Sequence, residues 1–131
     1  MKRIGILNSR ISAVVAGMGH TDTIAIVDAG FPIPASVERI DLAVKPGLPN
    51  LSEVLESLLS ELCVEEVTIA SEMRSKNPGL YSKLVEDFHD VRLLEVSHEE
   101  LKLRSASCKA IIRTGECKPY ANILLRSGVT F

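Results

Sequence analysis

The chain has no tryptophan, and two tyrosines and three phenylalanines are its only aromatic residues. Proteins that grip oligosaccharides or nucleobases by stacking carry more aromatic surface than this, so the composition suits a small, hydroxyl-rich ligand. Cysteine is equally sparse: Cys63, Cys108 and Cys117 are odd in number and lack C-x-x-C spacing. Neither a disulfide framework nor a zinc site is suggested, and buried free thiols are expected. No apolar run approaches the ~18 residues that a membrane helix needs. The opening MKRIGILNSRISAVVAG also lacks the long apolar segment and cleavage pattern of a signal peptide, so a soluble, cytoplasmic protein is expected. Excess positive charge is missing as well. A net charge of −2 and a pI of about 5.9 leave no electrostatic footprint for nucleic acid or an acidic membrane.

What is present is a globular balance of 46% hydrophobic and 24% charged residues over 131 positions, enough for one core and one domain spanning 1–131. Asn8 is placed to cap a helix carrying Ile11, Val14, Val15 and Met18 at helical spacing, with Gly19 as its stop. Thr23 to Asp28 reads as a buried strand ending in an Asp-Ala-Gly turn, and Arg39 to Val44 as a second β stretch. Lys45 to Asn50, with two prolines and a glycine, is the clearest loop. Leu51, Val54, Leu55, Leu58, Leu59 and Leu62 trace one helix face, and Val67 to Ala70 follows as a strand. A helix around Leu80 to Phe88 precedes a strand at Val91 to Val96, and Ser97 with Glu100 forms a capping-box signature. Strands near Ala110 to Arg113 and Ile123 to Leu125 flank a polar connection. This alternation predicts an α/β fold: one largely parallel central sheet flanked by helices, with ligands collecting at strand ends.

Several residues carry groups suited to proton transfer or hydroxyl binding. His20 follows Gly17-Met18-Gly19, and backbone freedom there can set an imidazole beside open space, where it could trade protons near neutral pH. Position alone favours a polar loop residue or helix terminator. The G-x-G fragment follows a helix instead of a strand and is no dinucleotide signature. Asp28 could accept from hydroxyls, orient His20, or simply build its turn. His98 falls in a first helical turn, where a neutral hydrogen-bonding ring is favoured over a charged one, and surface capping explains it as well. Tyr120 and Asn122 stand two apart, so an extended chain there would point a phenol and an amide to the same side; turn roles are the alternative. His89, among Glu86, Asp87 and Asp90, reads as a solvated surface residue.

Taken together, GILNSRI, GHTDTIAIVDAGFPIP, DLAVKPGLP, SHEELK, IRTGECKPYANILL and the closing GVTF resemble the D-ribose pyranases, grouped with the L-fucose mutarotases, essentially end to end. The resemblance implies that His20 matches the family's proton donor and Asp28 a substrate-binding carboxylate. It also places His98 and the stretch Tyr120, Ala121 and Asn122 at sugar-binding positions. The implied reaction interconverts β-D-ribopyranose and β-D-ribofuranose by acid/base-assisted ring opening, with no cofactor and no metal. The implied partners are a monosaccharide and further copies of the chain, commonly a decamer of two pentamers with sites near subunit boundaries. L-fucose mutarotation and a non-catalytic sugar-binding module are the alternatives to be distinguished.

Overall fold

The computed structural model describes residues 1–131. Asn8 does cap the first helix, α1 (Ser9–Gly17): its side chain accepts the N–H groups of Arg10 and Ile11. The helix stops two residues before Gly19, because Met18 already has extended backbone and bonds back to Val15. Strand β1 (Thr23–Val27) follows as a nearly continuous buried run, as expected for a strand covered on both faces. Strand β2 (Glu38–Asp41) ends earlier than the β-like composition through Val44 predicts. The Asp41 carboxylate takes the Ala43 N–H at 3.0 Å and Val44 turns to bond Leu48, so the ladder cannot continue.

Helix α2 (Leu51–Leu59) opens on a full capping box between Asn50 and Glu53. After β3 (Val64–Ala70) come a short α3 (Met73–Lys76), which the hydrophobic pattern does not signal, and α4 (Pro78–Asp87) with Pro78 at its first turn. Strand β4 (Arg92–Val96) leads into α5 (His98–Ser105). Ser97 caps α5 through the Glu100 N–H, but Glu100 turns outward to Arg104, so only half of the expected box forms. Strands β5 (Ala110–Arg113) and β6 (Ile123–Ser127) complete the chain.

All six strands join one sheet in the order β2-β5-β1-β6-β3-β4. Only β6 runs antiparallel to its neighbours; the other pairings, β1 with β5, β2 with β5 and β3 with β4, are parallel. The carboxyl ends of five strands therefore share one rim, and β6 starts from that same rim. Strand alternation divides the core between the two faces. Ile24, Ile26, Ile69, Ile112 and Ile123 pack against α1, α2 and α4, while Ala25, Val27, Ile111 and Leu124 pack with Phe31, Val37 and Leu101 of α5.

The cysteines correct the expectation of buried thiols. Only Cys108 is buried, and that burial pushes its thiol pKa up. Cys63 and Cys117 lie in exposed connections, where backbone polar groups must reach water.

Gly115 locks the 45–50 loop to the end of β5. Its N–H bonds Pro49 at 2.8 Å and its carbonyl accepts the Gly47 N–H at 2.6 Å. A Cβ at this position would stand 2.5 Å from the Leu48 carbonyl oxygen and 2.6 Å from that of Lys45. Backbone cannot yield as a flexible side chain does, so Gly115→Ala is expected to cost about 1–3 kcal/mol. Calorimetry should show a melting midpoint several degrees lower; an unchanged midpoint would mean that the loop is free to move away.

Candidate active site

The shared carboxyl rim gathers polar side chains from well-separated parts of the chain. Asp28 leaves β1 in a tight turn, with its Oδ1 accepting the Gly30 N–H at 2.9 Å. Its Oδ2 accepts from Asn122 Nδ2 at 2.8 Å, and its backbone N–H donates to Asn122 Oδ1 at 2.9 Å. Asn122 is fully buried just before β6, so these two hydrogen bonds staple the end of β1 to the start of β6. Each carboxylate oxygen of the half-buried Asp28 keeps a lone pair for a further donor, such as a hydroxyl. The turn role thus leaves acceptor capacity on Asp28 for a ligand.

Tyr120 precedes Asn122 in left-handed backbone, φ 54°. The Asn122 N–H bends back to the Tyr120 carbonyl at 2.9 Å, so the two side chains do not share the extended geometry their spacing allows. Ala121 between them is completely buried. The Tyr120 ring meets the His98 ring edge-on at 5.1 Å, and His98 meets Phe31 edge-on at 6.1 Å. Phe31 returns to the Asp28 carbonyl through its own N–H, which closes a circuit around the site. His98 is therefore held between two aromatic rings and is more than a surface cap. Its Nδ1 is buried without a protein partner.

Glu72 secures the start of α5 from below. Both its carboxylate oxygens lie 3.1 Å from the His98 N–H. Its pKa is held below the usual glutamate value chiefly by its own backbone N–H, with the His98 N–H adding to the effect. Beside Asp28, a hollow of about 360 Å³ opens against Gly30, Glu116, Lys118 and Pro119. A larger groove of about 550 Å³ lies elsewhere, along Ile6, Ile11, Leu42 and Val54. Its walls are mainly aliphatic, whereas the smaller hollow brings the charged groups of Asp28, Glu116 and Lys118 to one place.

His20 is not in this cluster. It sits at the opposite rim, before β1 begins, where Thr21 bonds Ser127 at the far end of β6. Five steps along the strand from Thr23 to Asp28, at about 3.3 Å each, separate the two rims by about 17 Å. Asp28 therefore does not orient His20 within one chain. The partner of His20 is Glu65, whose Oε2 lies 2.8 Å from Nε2. The turn holding His20 is stiff: Asp22 accepts the Gly19 N–H at 2.9 Å and pairs with Lys109, and both interactions, the backbone bond foremost, depress its pKa. Thr21 adopts φ 71°, unusual for a β-branched residue. The two non-glycine residues with positive φ, Thr21 and Tyr120, thus flank or belong to the predicted functional positions.

Phe31, Glu65 and Glu72 had no sequence signal of their own. Phe31 is a lone aromatic after a turn, and the two glutamates are unremarkable charges around β3. His89 is exposed and bonds only its own helix end, as expected.

The fold and the carboxyl-rim cluster define a small α/β protein with polar side chains gathered at one rim of its sheet and an exposed histidine displayed at the other. The chain belongs to the RbsD / FucU transport protein family, whose model matches residues 1–130. It is 54% identical over 131 residues to a D-ribose pyranase of Coprothermobacter proteolyticus, and 53% identical to one of Thermoanaerobacter pseudethanolicus, with both chains covered completely in each case. Among solved structures it is similar to Bacillus subtilis RbsD complexed with D-ribose, at TM-score 0.97 and 45% identity over the whole of both chains. A fucose mutarotase from Streptococcus pneumoniae, in complex with L-fucose, aligns over the whole of both chains at TM-score 0.80 and 26% identity.

Proposed function

We propose that this chain is a D-ribose pyranase, a cofactor-independent isomerase that interconverts β-D-ribopyranose and β-D-ribofuranose and supports ribose utilisation in the cytoplasm. The observation that carries this reading is the stapled cluster of Asp28, Asn122, Tyr120 and His98, in a chain that matches D-ribose pyranases from end to end. No helix is long and apolar enough to cross a membrane.

In the pyranose, an acid protonates the ring oxygen as the anomeric hydroxyl loses its proton, the bond from C1 to the ring oxygen breaks, and an open-chain aldehyde forms. Attack on C1 by the 4-hydroxyl then closes the furanose, with the proton movements reversed. Asp28 accepts sugar hydroxyls, while Asn122 holds that carboxylate and Tyr120 and His98 wall the site. His20 is the acid. Because it stands at the rim opposite its own Asp28, it serves the cluster of a second copy, and the working enzyme is a ring-shaped homo-oligomer, a decamer of two pentamers on family grounds. Saturation-transfer NMR on ribose and fucose tests the activity. Accelerated ribose exchange is expected; faster exchange of fucose would favour the mutarotase reading, and saturable binding without acceleration a sugar-binding module.

The two-copy site has a separate test. His20→Ala and Asp28→Ala chains, each inactive, are co-expressed in equal amounts and purified together. A site drawing one group from each of two copies is intact in roughly one case in four, so about a quarter of the activity should return. Complete inactivity of the mixed assembly would mean that both groups come from one chain.

A further inference from the structure

We infer that Glu65 is a positioning residue that fixes the tautomer of His20 and leaves Nδ1 as the atom exchanging its proton with the sugar. The inference rests on His20 being the acid of the proposed reaction. An ionised carboxylate only accepts hydrogen bonds, so the hydrogen shared across the 2.8 Å contact from His20 Nε2 to Glu65 Oε2 belongs to the ring. The neutral imidazole then carries its lone pair on Nδ1, and in the imidazolium the Nδ1 proton is the one left to give.

Glu65 owes its position to a break in the strand. The register between β3 and β6 shifts between Val64 and Glu66, the type of irregularity that re-aims a side chain out of strict alternation. Glu65 is thereby free of the in–out alternation and meets the turn that carries His20. Its other oxygen, Oε1, lies 2.9 Å from Arg126 Nε. That N–H is buried and points away from a good hydrogen-bond line, so Arg126 anchors the carboxylate by charge. Gly128 keeps the neighbouring end of β6 close, since a Cβ there would stand 3.1 Å from the Glu65 Cβ. Arg126 from β6, Glu65 from the β3 irregularity and His20 from the turn before β1 thus form a relay of orientation. No such arrangement holds His89, whose Nδ1 meets only the Glu86 carbonyl at 3.1 Å.

The test uses the full chain labelled with 15N-histidine, in which His20 signals are those that vanish in His20→Ala. In the unaltered protein the neutral His20 ring should carry its proton on Nε2, with Nδ1 bare. Glu65→Ala should populate both tautomers and slow ribose exchange by about 10–100-fold, the range seen when a carboxylate that orients a metal-bound imidazole is removed. Ribose affinity and assembly size should not change. Glu65→Gln keeps an acceptor oxygen and should restore the Nε2–H form and most of the rate. A proton on Nδ1 in the unaltered protein would overturn the inference by itself, even if Glu65→Ala did not fold. A Glu65→Ala protein with full rate and a single tautomer would do the same while leaving the ribose reading intact. If His20→Ala exchanged ribose as fast as the parent, the role of His20 and the inference would fall together.

Discussion

Replacing His20 with Ala is expected to lower catalysed exchange between the ring forms of ribose by about 10²–10⁴-fold, the usual contribution of a positioned general acid. The folded chain should tolerate the change. The His20 side chain is 55% exposed, so its removal opens no cavity, and surface substitutions of this type usually move stability by less than about 0.5 kcal/mol. Asp28 and Asn122, the proposed hydroxyl-binding cluster, lie at the other rim of the same chain and keep their bonds to one another. Ribose affinity should therefore survive while the rate collapses, the pattern of a group that acts mainly in the transition state. Saturation-transfer NMR gives the rate and titration calorimetry the affinity. An unchanged rate would remove His20 from the mechanism, and equal losses of rate and affinity would make it an ordinary binding residue.

The elements were largely legible because they rest on local chemistry. Asn8, Asn50 and Ser97 are caps whose bonds reach only two or three residues ahead, and the leucines of α2 show their helical period directly. The predicted parallel sheet is present, with β6 as its antiparallel member. The site was legible only through resemblance. Asp28 and Asn122 are 94 residues apart, and no spacing rule announces that their side chains will bond. Of the two readings open for Tyr120 and Asn122, the turn is the one present, because residues two apart share a side only on an extended chain and a left-handed Tyr120 reverses the backbone. Glu65 was invisible for a related reason: its aim depends on a register shift between two strands, which neither strand's own sequence encodes. The resemblance pointed to His20 and Asp28 together, yet the one extended strand between them, Thr23–Val27, already sets them at opposite rims within a single chain.

Asn122→Asp should convert the staple between β1 and β6 into a pH-dependent weak point. The present bonds dictate how the amide is turned: Oδ1 must face the Asp28 N–H and Nδ2 the Asp28 carboxylate. Exchanging the amide nitrogen for oxygen sets a second carboxyl, fully buried, against Asp28 Oδ2 at the 2.8 Å separation now bridged by an N–H. Two such groups cannot both ionise, so one keeps its proton to a pH above the ordinary carboxylate range. While protonated, the new carboxyl can donate to Asp28 as the amide does, and the variant should approach the parent in stability near pH 4. The raised group means that the folded state binds more protons than the unfolded one between the two titration points, so stability falls as pH rises. The slope is about 1.4 kcal/mol per pH unit, which reaches about 4 kcal/mol by pH 7 if the pair still holds its proton there. That is a large share of the roughly 5–15 kcal/mol that stabilises a typical domain. Urea unfolding of both proteins at acid and neutral pH should show a gap that widens with pH. A constant gap, or one that narrows, would mean that Asp28 does not depend on the Asn122 amide donor and that the cluster is held together by its aromatic walls.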